Sequence, residues 1–185
     1  MRVISGKYKG RRLKSLPGKN TRPTTDKVKE ALFQIIGPYF NGGIGLDLFA
    51  GSGGLGIEVL SRGADRMIFV DKHPKAIQVI HENIKTLNLE EQTEVYRAEA
   101  FRALKAASKR GLIFDWIFLD PPYGKISFHE LLAKIEEYHF LHEESIVICE
   151  HMIEETLPSK FGKLERFKQE TYGSLISVSL YRHSN

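Results

Sequence analysis

The sequence predicts an α/β fold in which a seven-stranded, mostly parallel sheet carries helices on both faces and ends in an antiparallel hairpin. Two observations carry this prediction. After residue 44, short apolar runs alternate with segments of helical periodicity, as expected of successive βαβ units. Runs such as residues 116–119 also lack polar alternation, which is typical of parallel strands covered by helices on both faces.

The N-terminal part of the chain is a short extension followed by one helix. Residues 1–23 show weak alternation and several glycines, which favour a hairpin or an extended strand pair. A helix then begins after Thr24 or Thr25, with Asp26 in its first turn, and Gly37-Pro38 ends it. The predicted buried face comprises Val28, Ala31, Leu32, Ile35 and Ile36.

The remaining elements follow from the alternation of patterns. The predicted strands cover residues 44–49, 67–70, 93–96, 116–119, 145–149, 164–170 and 175–181, and the helices lie near 54–62, 74–87, 99–109 and 127–138. The last two strands have only a Tyr172-Gly173 turn between them, so they pair antiparallel. We therefore expect one domain over 1–185, with an extension (1–23), a docking helix (24–38) and a core (44–181).

The composition limits the classes of protein to which this chain can belong. The chain has 185 residues, 42% of them hydrophobic and 27% charged, which suits one globular domain. No apolar stretch approaches the roughly 20 residues that cross a bilayer. The single cysteine, Cys149, cannot form an internal disulfide and is too few for a thiolate zinc site. These features predict a cytoplasmic protein with no membrane partner and no metal.

Charge is distributed unevenly along the chain. Residues 1–29 hold ten basic residues against one acidic residue, a net charge of +9, whereas the remainder carries 17 basic and 22 acidic residues, a net charge of −5. Lys and Arg clusters bind nucleic acids by neutralising phosphates and releasing counterions. The basic extension therefore predicts a polyanion-binding arm, and a solvated terminus is the alternative.

A glycine-rich motif follows the first predicted strand. Gly51, Gly53 and Gly56 form a G-x-G-x-x-G pattern, and Asp71 comes 20 positions after Gly51, at the end of the second strand. Such glycines permit a tight turn and the close approach of a cofactor, and the acidic residue can accept hydrogen bonds from ribose hydroxyls. The pattern predicts a nucleoside cofactor without saying which one.

Asp47 favours one cofactor over another. Its carboxylate stands at the end of the first strand, just before the loop where a dinucleotide would place its pyrophosphate, and two negative groups repel in a desolvated crevice. S-adenosylmethionine has no phosphate, and its ammonium and sulfonium groups would be attracted to Asp47. The alternative is that Asp47 only caps loop amides.

A second motif, Asp120-Pro121-Pro122-Tyr123, directly follows the fourth predicted strand. In a doubly wound sheet the first and fourth strands are neighbours, so both motifs are expected to open onto one crevice. The Asp120 carboxylate and the Pro121 carbonyl can accept the two protons of a planar exocyclic amine, which makes its nitrogen a better nucleophile. Tyr123 offers a face on which a base can stack.

These residues carry a family resemblance. Asp47-x-Phe49-x-Gly51-x-Gly53, Asp71 and the Asp120 motif, in that order, resemble class I S-adenosylmethionine-dependent amino-methyltransferases, which have a Rossmann-like fold. Two segments of the N-terminal part narrow this resemblance to one family within the class: Gly6-Lys7-Tyr8-Lys9-Gly10-Arg11 and Arg22-Pro23-Thr24. Nearly the whole chain resembles the RsmD family of bacterial ribosomal RNA methyltransferases, which methylate guanine N2 in 16S ribosomal RNA.

The resemblance implies roles for particular residues. Gly51, Ser52 and Gly53 would contact the methionine part of the cofactor, Asp71 the ribose, and Glu99-Ala100 the adenine, although Glu99 stands where the family usually has Asp. A competing interpretation is that Glu99 only begins a helix. The full expected set for the cofactor is Asp47, Phe49, Gly51, Ser52, Gly53, Asp71, Lys72, Glu99 and Ala100.

The same reasoning predicts the substrate contacts and the activity. Asp120, Pro121 and Tyr123 are the expected catalytic residues, and the RNA contacts are Tyr8, Arg11, Arg12, Arg22, Pro122 and Tyr123. We expect a monomer that acts on ribosomal RNA within a small subunit or an assembly intermediate. Alternatives are methylation of adenine N6 or of a protein glutamine, a nicotinamide-dependent oxidoreductase, and a non-catalytic RNA-binding assembly factor.

Overall fold

The computed structural model describes residues 1–17 and 25–184. Residue contacts divide the chain into two compact units, Met1–Glu99 and Ala100–Asn185. The predicted contact residue Arg22 and the capping candidate Thr24 lie outside the described residues. The expectation of a single domain stays a prediction.

The first unit contains a parallel sheet. Its helices are α1 (Asp26–Ile36), α2 (Gly54–Ser61), α3 (Pro74–Thr86) and a short 3-10 turn (Glu90–Gln92), and its strands are β1 (Ile44–Asp47), β2 (Arg66–Asp71) and β3 (Thr93–Arg97). The strand order is β3-β2-β1, with Asp47 opposite Phe69 and Asp71 opposite Arg97. Because the strands are parallel, their carboxyl ends lie at one edge, where the loops after β1 and β2 meet.

Helix α1 begins and ends where the sequence predicts, but its buried face is different. The Thr25 hydroxyl accepts a hydrogen bond from the Val28 N–H at 3.3 Å, and Gly37 ends the helix. The buried residues are Lys29, Leu32, Phe33 and Ile36, whereas Val28, Ala31 and Ile35 are only half-buried. The prediction was therefore wrong for those three residues, because the helix packs on the face that carries Phe33 and Lys29, and Lys29 contacts an ionic partner described below.

The described part of the N-terminal extension is a hairpin packed on the first unit. Arg2 pairs antiparallel with Arg12, and the Val3 N–H donates to the Arg11 carbonyl at 2.9 Å. Val3 and Leu13 are buried. The hairpin that the sequence predicted as one possibility is confirmed, and residues 1–13 are not a solvated tail.

The second unit begins with a parallel strand pair and ends in antiparallel strands. Its elements are α4 (Ala100–Lys109), β4 (Phe114–Leu119), α5 (Phe128–Glu137), β5 (Leu141–Met152), β6 (Lys160–Phe161), β7 (Leu164–Tyr172) and β8 (Ile176–His183). The strand order is β4-β5-β8-β7-β6, with β4 and β5 parallel and the others antiparallel. The predicted C-terminal antiparallel hairpin, β7–β8, is confirmed.

Several strand limits differ from the prediction. β1 ends at Asp47 rather than at residue 49, because the chain already turns into the glycine loop there. β5 covers Leu141–Met152 and is longer than the predicted strand at 145–149. It pairs with β4, and its later residues also pair with β8. Strand β6, Lys160–Phe161, is additional, and two residues are too few to produce a periodic pattern. The structure therefore has eight strands within its described residues, where the sequence predicted seven.

The interior of the second unit includes the residues expected there. Trp116 and Phe118 are buried in β4, as predicted for core side chains. Cys149 is fully buried in β5, and burial raises the pKa of its thiol far above the usual range, so this cysteine is an inert core residue. Within residues 1–17 and 25–184, no helix has the length and apolar character needed to span a bilayer.

Candidate active site

The glycine-rich loop joins β1 to α2 in a tight turn. Gly51 and Gly53 have φ angles of +58° and +85°, a left-handed conformation that glycine adopts without strain. The Gly53 N–H donates to the Ala50 carbonyl at 2.9 Å, which closes the turn. A Cβ atom on Gly56 would lie 2.3 Å from the Phe69 ring, so this glycine lets α2 pack directly on β2. The tight turn predicted from the motif is confirmed.

Asp71 joins the two loops at this edge of the sheet. One carboxylate oxygen accepts a hydrogen bond from the Gly51 N–H at 2.9 Å, and the other accepts one from the His73 N–H at 2.9 Å. A carboxylate offers about four lone-pair positions, so these two bonds leave one position on each oxygen. Asp71 therefore orders the glycine loop and keeps two acceptor positions for a pair of hydroxyl groups.

The other predicted cofactor residues of the first unit lie near the ends of the same strands. Asp47 is only 2% exposed, at the end of β1, so its carboxylate stands in a desolvated position, as the sequence argument required. Phe49 and Ser52 are half-buried, and Lys72 is exposed directly after β2. Their contacts with a cofactor stay predictions.

Glu99 and Ala100 stand at the beginning of a helix. Ala100 is the first residue of α4 and is buried, whereas Glu99 is exposed immediately before it. This position agrees with the interpretation that Glu99 begins the helix, where a negative charge is favourable. A contact from Glu99 to an adenine stays a prediction.

The Asp120 motif leaves the carboxyl end of β4. Leu119 is the last strand residue, Asp120 is half-buried, Pro121 is buried, and Tyr123 is 48% exposed. Leu119 pairs with Cys149, and β5 continues three residues further to Met152, so the strand beside β4 runs past the start of the motif. The expectation that this motif faces the glycine loop stays a prediction.

The basic residues of the extension divide into paired and unpaired charges. Arg2 forms an ion pair with Asp26 at 2.8 Å, and Lys14 forms one with Glu82 at 2.9 Å. Lys9 and Arg12 are exposed and form no ion pair with the described residues. These two side chains are therefore available to phosphate groups.

Tyr8 and Arg11, two further predicted RNA contacts, also lie on the hairpin. The Arg11 guanidinium donates to the Thr86 carbonyl, the last residue of α3, at 3.2 Å. Tyr8 is half-buried, and its N–H donates to the Ser61 hydroxyl at 3.0 Å. A Cβ atom on Gly6 would lie 2.0 Å from the Ser61 carbonyl oxygen, so the glycine that opens this segment is needed for docking on α2.

A buried ionic cluster that the sequence did not indicate holds the extension in place. Glu58 of α2 is fully buried, and its carboxylate accepts hydrogen bonds from the Ile4 N–H at 2.9 Å, the Ser5 N–H at 3.1 Å and Arg62 at 2.9 Å. Lys29 of α1 lies 3.6 Å from the same carboxylate. Burial lowers the pKa of Lys29, against the attraction of Glu58. A lone Glu in a helical pattern carries no signal of this role.

Comparisons with known proteins identify the family. A family model described as "Conserved hypothetical protein 95" matches residues 1–182. "Ribosomal RNA small subunit methyltransferase D" of Haemophilus influenzae is 33% identical over 186 residues, which cover 99% of this chain and 94% of the relative. The chain belongs to the RsmD family.

Two further RsmD-like proteins extend this finding to the whole chain and to its fold. "Putative rRNA methyltransferase YlbH" of Bacillus subtilis is 56% identical over 182 residues, which cover 98% of each chain. The solved structure titled "Putative methyltransferase yhhF from Escherichia coli" has a TM-score of 0.82 and 30% identity, and the match covers 99% of this chain and 97% of that one. The fold is thus the Rossmann-like methyltransferase fold that the sequence predicted.

Proposed function

We propose that this protein transfers a methyl group from S-adenosylmethionine to the exocyclic N2 amine of a guanine in small-subunit (16S) ribosomal RNA. The observation that carries the proposal is the Asp120 motif at the carboxyl end of β4, with a half-buried carboxylate and an exposed tyrosine. The names of the RsmD-family relatives support ribosomal RNA of the small subunit as the substrate class.

The loops after β1 and β2 suit S-adenosylmethionine. A Cβ atom on Gly51 would meet, among the described residues, only Leu16 at 3.8 Å, so the loop backbone is open to a ligand. The buried Asp47 attracts a cationic group, and the two remaining acceptor positions of Asp71 match the two ribose hydroxyls. When bound, this cofactor supplies a methyl group that its sulfonium has already activated.

The Asp120 motif would prepare the acceptor amine. The Asp120 carboxylate and the Pro121 carbonyl would each accept one N–H of the amine, which makes its nitrogen a better nucleophile. The bound cofactor would supply the methyl group, and Asp120 would accept the proton that the amine nitrogen loses and pass it to solvent. Tyr123 stacks on the base, which must first leave any duplex in which it is paired.

The exposed charges of the hairpin would hold the RNA backbone. We expect the double substitution Lys9→Gln, Arg12→Gln to weaken RNA binding and to reduce the slope of log affinity against log salt by about 1 to 2, since each lost phosphate contact removes about 0.7 to 0.9. Titration of fluorescent RNA between low and high salt measures both quantities.

A matched control for that prediction lies in β6 and the turn that follows it. Lys160 and Lys163 are exposed, and β6 is the strand furthest from β4 within the second unit. Lys160→Gln with Lys163→Gln should leave the salt slope unchanged. An equal decrease of the salt slope in both double variants would mean that RNA binding depends only on the net charge of the protein. That result would contradict a phosphate-binding hairpin.

The decisive test of the activity maps modified nucleosides in ribosomal RNA from cells with and without this protein. We expect one N2-methylguanosine in 16S ribosomal RNA to disappear without it. Labelled methyl transfer to RNA, DNA and protein fractions then tests the other amines: methylation of adenine N6 or of glutamine would contradict the proposal. Binding of assembled subunits without any methyl transfer would indicate an assembly factor instead.

The partners and location follow from this substrate. We propose that the protein acts as a monomer on the small ribosomal subunit or an assembly intermediate, in the cytoplasm where bacterial ribosomes are made. Comparing naked 16S ribosomal RNA with assembled particles in the methyl-transfer assay tests whether the substrate is a particle rather than free RNA. Among the residues that the structure describes, no group of three His, Cys, Asp or Glu side chains could hold a metal ion.

A further inference from the structure

Asn83 of α3 connects the N-terminal extension to the glycine loop. Its side chain is 2% exposed, and its amide makes three hydrogen bonds. The carbonyl oxygen accepts from the Lys14 N–H at 2.8 Å, and the NH₂ group donates to the Lys14 carbonyl at 3.0 Å and to the Ser52 carbonyl at 3.0 Å. Both N–H donors of this buried amide are therefore used, one on the N-terminal extension and one on the glycine loop.

The stretch after Lys14 lies directly beside the loop. Leu16 is half-buried, and its Cδ1 atom lies 3.8 Å from the position of a Cβ on Gly51. The other end of the hairpin contacts the same loop, because the Ser52 hydroxyl lies 3.6 Å from the Met1 sulfur. The extension thus borders the proposed cofactor loop at two points as well as carrying the basic side chains.

We propose that Asn83 is a positioning residue that holds Lys14 and Leu16 against the Gly51–Ser52 turn, so that this stretch forms one wall of the S-adenosylmethionine site. The inference rests on the proposed function for the identity of the cofactor. A buried amide is costly to place in a core unless its bonds are made, and here all of them link the extension to the loop. The N-terminal extension therefore contributes to cofactor affinity as well as to RNA binding.

The test measures S-adenosylhomocysteine binding to Asn83→Asp by calorimetry. The carboxylate keeps the acceptor for the Lys14 N–H but loses both donated bonds and faces two carbonyl oxygens. We expect the dissociation constant to rise about tenfold, the size of one lost buried hydrogen bond, because only the bond to the Ser52 carbonyl reaches the glycine loop. In methyl transfer, the KM for S-adenosylmethionine should rise while kcat at saturation stays near the wild-type value.

A second variant keeps the proposal testable if Asn83→Asp does not fold. Leu16→Ala removes the apolar side chain that lies beside the turn, and we expect S-adenosylhomocysteine to bind at least about threefold more weakly. Glu82→Gln is the matched control, because Glu82 is the neighbour of Asn83 and its carboxylate contacts the side chains of Lys14 and Gln78 at the surface. It should bind as the wild type does.

The outcomes separate this inference from the proposed function. A wild-type protein that does not bind S-adenosylhomocysteine would overturn both. Normal wild-type binding with unchanged affinity in Leu16→Ala and in folded Asn83→Asp would overturn the inference alone, even if the melting temperature fell. Equal weakening in Glu82→Gln would also overturn it, because the effect would then not depend on the buried amide.

Discussion

Asp120→Asn is expected to lower kcat about 100- to 1,000-fold, the loss typical of removing one preorganised electrostatic group from an active site. The substitution keeps the size of the side chain but removes the negative charge that accepts the amine proton. Because Asp120 follows β4 and is not part of the glycine loop, S-adenosylhomocysteine affinity should stay within about twofold of wild type. Single-turnover methyl transfer and calorimetry measure the two quantities.

The same strand provides a control for this substitution. Asp115 is also an aspartate of the β4 segment, but it lies near the amino end of the strand, where it contacts His142 at 2.7 Å. Asp115→Asn should therefore retain nearly full turnover. Wild-type kcat in Asp120→Asn would remove this carboxylate from the mechanism, and a similar loss in both variants would indicate a general effect on the fold.

Glu58→Gln is expected to lower the free energy of unfolding by about 3 to 5 kcal/mol, as when one partner of a buried ion pair is removed. The variant leaves Lys29 and Arg62 buried without their counter-ion, and it weakens the two hydrogen bonds that Ile4 and Ser5 donate. Denaturation in guanidinium chloride measures the loss. Because Glu58 anchors the hairpin, proteolysis near the N-terminus should also become faster.

An exposed ion pair between the hairpin and α1 serves as the control. Arg2 and Asp26 join the hairpin to α1 at 2.8 Å, but their side chains are 61% and 48% exposed. Asp26→Asn should cost no more than about 1 kcal/mol, because water screens this pair. A small effect of Glu58→Gln, comparable to that of Asp26→Asn, would contradict the view that the buried cluster holds the extension.

The parts of the fold that local chemistry determines were predictable from the sequence. Thr25 and Gly37 mark the ends of α1, because a hydroxyl caps the helix and a glycine ends it. The turn at Gly51 and Gly53 needs a left-handed backbone conformation, and the presence of glycine at these positions predicts it. The tight turn between β7 and β8 leaves no room for a crossover, so their antiparallel pairing also follows from the sequence alone.

The candidate site was predictable only in part. The position of Asp71 near the glycine loop follows from its spacing, but its hydrogen bonds to Gly51 and His73 depend on how two loops meet in space. Asn83 could not be found, because its two partner residues, Lys14 and Ser52, are 69 and 31 positions away along the chain. A polar residue in a helical pattern is ordinarily read as part of the solvated face.

The order of the strands and helices along the chain, apart from β6, was predictable from the residues alone, as were the glycine turn, the placement of Asp120 after a buried strand, and the excess of positive charge over residues 1–29. Which of these positive charges are exposed, and which contact other parts of the protein, depends on how the helices and the hairpin pack together. Lys29 faces the interior and Lys9 faces solvent, although both belong to one basic block. The reason is that a buried charge requires a partner, and Glu58 is brought to Lys29 by the packing of α1 on α2, not by any local pattern.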